Sequence, residues 1–204
     1  MSPKTLSGCC EKLFLVADVR AFLAVSFHTF YVEELKTLIE RLKSLPLEVN
    51  WIEPSSAHLT LHFFGEVSFH TIEDISCELR DVAAGQNPFY LTLEGLGAFP
   101  DWRSPRVLWV GVNGQTATLE VLKTKTDEVL RKNGFLIESR EFKPHLTLGR
   151  IKIPPKSFAP PSALNPIFPT PFTVKEIVLL ESKHSKLGPV YTPVQIFPFS
   201  RQIS

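Results

Sequence analysis

His58-Leu59-Thr60-Leu61 and His145-Leu146-Thr147-Leu148 are the same four residues written twice in one chain, 87 positions apart. Six histidines and 14 threonines shuffled through 204 residues would give roughly 0.4 His-x-Thr triplets, so two identical tetrapeptides mark an internal repeat. The surroundings repeat too: Pro54-Ser55-Ser56 leads into the first copy, Phe142-Lys143-Pro144 into the second, and Gly65 or Gly149 follows. Alternating polar and apolar residues read as a β-strand, in which positions i and i+2 project from one face about 6.6 Å apart. His58 then shares a face with Thr60, and His145 with Thr147, while Leu59, Leu61, Leu146 and Leu148 turn into an apolar layer. If the two strands are related by a pseudo-two-fold axis, one histidine and one threonine from each wall meet in a common cleft.

The rest of the chain supplies two matching halves. Arg20–Phe27 alternates as a strand, and Val32, Leu35, Leu38, Ile39, Leu42 and Leu45 recur at helical spacing over Tyr31–Leu45, closed by Pro46. The strand His58–Gly65 is followed by a helix over Ser68–Val82 that Ser68 caps. Phe89–Phe99 and Val107–Val112 form a hairpin across the Pro100–Pro105 turn, and Thr118–Lys132 is a third helix stopped by Asn133-Gly134. The strand at His145–Ile153 precedes Pro154–Pro171, which holds seven of the 17 prolines and reads as a surface loop. Val174–Leu180 and Val190–Phe197 are strands around a Gly188-Pro189 turn. The fold class is α+β, with two lobes of antiparallel sheet over residues 20–204; residues 1–19 are an appendage.

Composition narrows the function classes. With 44% hydrophobic residues and a formal net charge of +1, the chain folds as a globular domain and offers phosphates no whole-molecule attraction. A polybasic nucleic-acid coat is excluded. Three cysteines, Cys9, Cys10 and Cys77, form neither a disulfide framework nor a zinc spacing, which points to a reducing, cytoplasmic compartment. No apolar run is long enough to span a membrane.

Two histidines and two threonines around one point suit a phosphoryl group. In-line displacement at phosphorus needs a base behind the attacking oxygen and an acid beside the leaving one, on opposite sides. Imidazole serves either role near neutrality, and threonine hydroxyls can donate to the nonbridging oxygens as charge grows there. The scheme requires neither metal nor cofactor, and it predicts a bell-shaped pH dependence of kcat/KM. His62, four residues after His58, does not make a metal pair with it, because four residues of extended strand separate the rings by about 13 Å.

The paired His-x-Thr-x motifs resemble those of the two-histidine (2H) phosphoesterases, and the wider pattern resembles their RNA 2′,3′-cyclic phosphodiesterase branch, related to 2′-5′ RNA ligases. The similar stretches run from Arg20 to Phe199 and include Trp51-Ile52-x-Pro54, His58–Val67, Gly97-Ala98-Phe99, Pro105–Val112, Pro144–Arg150 and Ile177–Tyr191. The pattern departs from the family at Ser26-Phe27-His28 and at His62.

The resemblance implies that two sheets with outer helices enclose the cleft and that a 2′,3′-cyclic phosphate is opened to a 2′-phosphate. It implies His58 as proton donor, His145 as proton acceptor, and Thr60 and Thr147 as phosphate ligands. Arg150 matches the arginine after the second motif. Strict alternation places Arg150 opposite His145, so a bulge near Gly149 is needed to bring it inward. The implied partner is an RNA end or cyclic nucleotide, handled by a monomer. Reverse joining through a 2′-5′ bond and RNA-end binding without catalysis are the alternatives. Trp51, Phe63, Phe64 and Trp109 read as core, Trp102 as an exposed stacking surface, Lys143 as a solvated lysine, and His28, His70 and His184 as surface or turn residues.

Overall fold

The computed structural model describes residues 18–27, 31–156, 158, 165–185 and 188–200, so nearly all of the expected appendage, and His28, lie outside the described residues. Strand β1 is Val19–Ser26 and helix α1 is Val32–Leu42, whose Leu35, Leu38, Ile39 and Leu42 are buried. The helix ends three residues before Leu45, consistent with the bias of a pre-proline residue away from helical backbone. A short strand the sequence did not announce, β2 (Val49–Trp51), and a 3-10 turn at Pro54–Ser56 then lead into β3 (His58–Val67). Helix α2 is Phe69–Ala84, and the Ser68 hydroxyl accepts a hydrogen bond from the Thr71 amide at 3.1 Å, as the capping signal predicts.

The hairpin β4 (Phe89–Phe99) and β5 (Val107–Gly114) is followed by α3 (Thr116–Lys132) and β6 (His145–Ile151). Strands β7 (Ile167–Val174), β8 (Glu176–Ser185) and β9 (Gly188–Pro198) are the last elements among the described residues. Two readings change here. The final hairpin is longer than expected and Gly188-Pro189 begins β9 rather than forming the turn. Of the Pro154–Pro171 stretch, expected to be a loop, the end from Ile167 belongs to β7, while residues 157 and 159–164 lie outside the described residues.

Proline is compatible with β7 because the strand lies at a sheet edge, and the register skips there: Phe172 pairs with Leu91 and Phe168 with Leu93, leaving Pro169 and Pro171 in the irregular stretch between. Edge strand β9 carries Pro189, Pro193 and Pro198 at paired positions, and the prolines of β7 and β9 blunt these two edges against pairing with another chain.

All strand pairs are antiparallel, in a four-stranded sheet of order β3-β1-β8-β9 and a five-stranded sheet of order β2-β6-β5-β4-β7. Leaving out β2, the orders superpose strand for strand: β3 on β6, β1 on β5, β8 on β4, β9 on β7. The repeat in the sequence is therefore a repeat of topology, with the two His-Leu-Thr-Leu strands in equivalent places.

The lobes are interlocked. Asp127 of α3, the helix that links two strands of the second sheet, lies behind β3 of the first, with its Oδ1 4.0 Å from His62 Nδ1. Tyr31, at the head of α1, meets Phe168 and Phe172 of β7 in the second sheet and donates a hydrogen bond to the Thr170 carbonyl. One hydrophobic core runs through both lobes and includes Leu59 and Leu61 of β3 with Leu146 and Leu148 of β6. A second, small cluster of Phe22, Ala24, Val178 and Leu180, with Tyr191 against it, lies on the other face of the first sheet.

Candidate active site

The two tetrapeptides hold their residues as alternation demands: the four leucines are at most 3% exposed, while His58, Thr60, His145 and Thr147 are partly exposed on the opposite face. Burying each leucine contributes about 2 kcal/mol, so the apolar residues of the motif anchor the polar ones.

Both copies then break the alternation at the same residue. On β3, Thr60 pairs with Ala24 and His62 with Leu23, so Leu61 is an extra residue; on β6, Thr147 pairs with Trp109 and Gly149 with Leu108, so Leu148 is extra. Each bulge keeps its leucine and the following residue, His62 or Gly149, on the buried side and returns the next one, Phe63 or Arg150, to the face of the histidine. Arg150 thus reaches the cleft face as the expected bulge requires, one residue earlier than Gly149. His62 leaves the line of His58 altogether: it is 7% exposed, packed against Phe64 and Phe135. Burial is the main cause that lowers its pKa from 6.5, with Lys123 acting the same way and Asp127 and Glu138 opposing.

The histidine seats are near-copies. Nδ1 of His58 lies 2.8 Å from the Ser56 carbonyl and Nδ1 of His145 lies 2.7 Å from the Lys143 carbonyl, in each case two residues upstream. A carbonyl only accepts, so Nδ1 carries the proton in each ring and Nε2 is left to exchange one with a ligand. Two aromatic rings flank each imidazole: Phe22 at 4.7 Å and Tyr191 at 4.9 Å for His58, Phe99 at 4.8 Å and Trp109 at 5.9 Å for His145.

Burial lowers both histidine pKa values from 6.5. The carbonyl bonds oppose the shift, while His145 adds to it for His58 and Lys143 for His145. The charge of His145 is the smallest of the causes that act on His58, after burial and the Ser56 carbonyl. Burial raises the Tyr191 hydroxyl, with Arg150 and Arg20 pulling the other way, which places Arg150 within reach of the residue that touches His58. The hydroxyls of Thr60 and Thr147 have no partner among the described residues.

Several aromatic readings are corrected. Phe63 is 65% exposed and pairs with Phe22 of the cleft face, because the bulge carries it out of the core. Phe22, Phe99 and Tyr191, which the sequence reading did not single out, cradle the histidines. Trp109 is buried as expected, yet it lies against His145. Trp102, expected to stand free, packs against Phe158 at 6.1 Å. Phe64 and Trp51 pack on the core, and His70 is a surface residue beside Asp74. The signal for Phe63 was in the repeat: aligning the copies sets Phe63 on Arg150, and a bulge shared by both strands that brings Arg150 to the cleft face brings Phe63 there as well.

Residues 30–186 match the sequence model of the 2′-5′ RNA ligase superfamily. The chain belongs to this superfamily. Within it, the chain is 35% identical over 182 residues to an RNA 2′,3′-cyclic phosphodiesterase of Methanothermobacter thermautotrophicus, covering 88% of this chain and 98% of that one. It is 30% identical to an RNA 2′,3′-cyclic phosphodiesterase of Aquifex aeolicus over 88% and 96% of the two chains. Among solved structures, E. coli LigT in its apo form aligns with a TM-score of 0.71 and 26% identity, over 91% of this chain and 99% of LigT. The matched residues 30–186 include both tetrapeptides.

Among the described residues no three His, Cys, Asp or Glu side chains are grouped to hold a metal ion, and no helix is long and apolar enough to cross a membrane.

Proposed function

We propose that the chain hydrolyses the 2′,3′-cyclic phosphate of an RNA end or cyclic nucleotide to a 2′-phosphate, with His58 and His145 as acid and base and without a metal ion. The observation that carries this reading is the duplicated seat, in which a backbone carbonyl holds each Nδ1 proton and leaves each Nε2 for chemistry. The names of the superfamily relatives support the substrate class. Both half-sites come from one polypeptide, so a monomer suffices, and we assign it to the cytoplasm on its cysteine usage.

In the reaction, His145 Nε2 takes a proton from water as the water oxygen bonds to phosphorus. The bond from phosphorus to O3′ breaks, and protonated His58 gives its Nε2 proton to that oxygen, leaving a 3′-hydroxyl and a 2′-phosphate. Thr60 and Thr147 donate to the nonbridging oxygens, and Arg150 balances their charge. The rings then return to their starting states by proton exchange with solvent. Phe63 offers an exposed face on which a base can stack.

The test is hydrolysis of a 2′,3′-cyclic mononucleotide in EDTA with the products separated. A 2′-phosphate is expected, and His58→Ala and His145→Ala are each expected to lower kcat by roughly 10²- to 10⁴-fold with the fold retained. A 3′-phosphate product, loss of turnover in EDTA, or unaltered turnover in both variants refutes the reading. Because kcat/KM reports the free protein and both rings lie below 6.5, its bell is expected to peak on the acidic side of pH 6.5. Bound phosphate favours both imidazolium forms and moves the kcat profile to higher pH.

A further inference from the structure

The two half-sites agree in backbone and differ in the side chains around the imidazole. The residue whose carbonyl holds the imidazole is Ser56 in one lobe and Lys143 in the other, and the strand neighbour of the motif threonine is Ala24 in one and Trp109 in the other. Trp109 lies flat across its sheet: a Cβ built on Gly97, its partner on β4, would stand 2.1 Å from the benzo ring, so glycine at 97 is what lets the indole lie down. On this platform rests the Lys143 ammonium, 4.8 Å from the ring centre. An ammonium over an indole face is held there by the ring quadrupole. The lysine is thereby kept beside His145, whose ring is 5.9 Å from the same indole.

Resting on the proposed hydrolytic reading, we propose that Lys143 is a positioning residue for His145: its ammonium, seated on Trp109 beside that ring, keeps the imidazole neutral so that it can take the proton from water. The reason is electrostatic. A fixed cation disfavours a second positive charge next to it, so His145 meets the substrate neutral. The lowering of His145 by Lys143 agrees with this. The other groups facing His145 do not cancel it: β4 and β5 present the uncharged Phe99 and Trp109, and β3 presents His58, while the cations Arg150 of β6 and Arg20 of β1 act on Tyr191, the ring beside His58.

The test follows the imidazole nitrogens of the full-length protein by NMR from pH 4.5 to 8 in wild type, Lys143→Met and Lys143→Arg, with His145 assigned through His145→Gln. The His145 midpoint is expected to rise in Lys143→Met and to stay in place in Lys143→Arg. In kinetics on a 2′,3′-cyclic mononucleotide, the acidic limb of kcat/KM is expected to move to higher pH in Lys143→Met. The variant then loses roughly threefold or more at pH 5 relative to its own loss at pH 8. A His145 midpoint identical in all three proteins, with a loss uniform in pH, overturns the proposal and leaves Lys143 as a phosphate contact only. The spectra need no turnover, so a wild-type protein inactive on the nucleotide refutes the hydrolytic reading while the midpoints still decide what Lys143 does to His145.

Discussion

Phe63 and Arg150 occupy matching positions and bring opposite chemistry: one an apolar face, the other a charge. A base stacked on Phe63 is bound by about 1–3 kcal/mol, so Phe63→Ala is expected to raise KM for a cyclic nucleotide by roughly tenfold, with the loss falling on KM rather than kcat. Steady-state kinetics on the two proteins checks this. A fall in kcat at constant KM would assign Phe63 to the seating of Phe22 and His58 instead. His58, Thr60, His145 and Thr147 were legible from their spacing alone because i and i+2 share a face until something breaks the strand. His62 was not, since its burial follows from a pairing register that no residue count reveals.

The bulges at Leu61 and Leu148 re-aim a strand within one residue, and their neighbours determine whether they survive. A Cβ at Gly149 would stand 2.5 Å from Val49 Cγ1 and 3.0 Å from the Asn50 carbonyl. Gly149→Ala must therefore push β2 away from β6. It is expected to cost about 1–3 kcal/mol and to lower kcat/KM by displacing Arg150. Ser68→Ala removes the cap of α2 and is expected to cost about 1 kcal/mol with kcat/KM unchanged. Urea midpoints and activity measured on both variants separate stability from aim; equal effects on activity would mean that the bulge does not position Arg150. The helices and the long strands were readable because each repeats its pattern over two or more turns or alternations. Strands β2 and β7 were not, because three residues hold no period and because prolines hide an edge strand whose irregular stretch accommodates them.

Interlocked helices and a continuous core make the lobes one cooperative unit. Trp51, Trp102 and Trp109 all belong to the second sheet or its hairpin, whereas circular dichroism reports both sheets. Urea unfolding followed by the two signals is therefore expected to coincide. The midpoint is also expected to fall as the pH drops from 7 to 5.5. His58, His62 and His145 all lie below 6.5 in the folded protein, so the unfolded chain binds more protons in that range and stability declines with acidification. Above pH 7.5 these groups are neutral in both states and contribute no slope. His62→Gln is expected to flatten the decline. An unchanged slope would show that the buried ring titrates as freely as in the unfolded chain, and separated transitions would show lobes that melt independently.

The order of residues alone settles that the chain is duplicated, that each copy places a histidine and a threonine on one face of a strand, and that leucines anchor them from behind. These are local consequences of backbone geometry. The cradle of Phe22, Tyr191, Phe99 and Trp109, the outward turn of Phe63, the retreat of His62 and the seat of Lys143 on an indole exist only after folding. Each depends on which strands become neighbours and where the register slips, and those choices are made by burying one shared core across residues far apart in the chain.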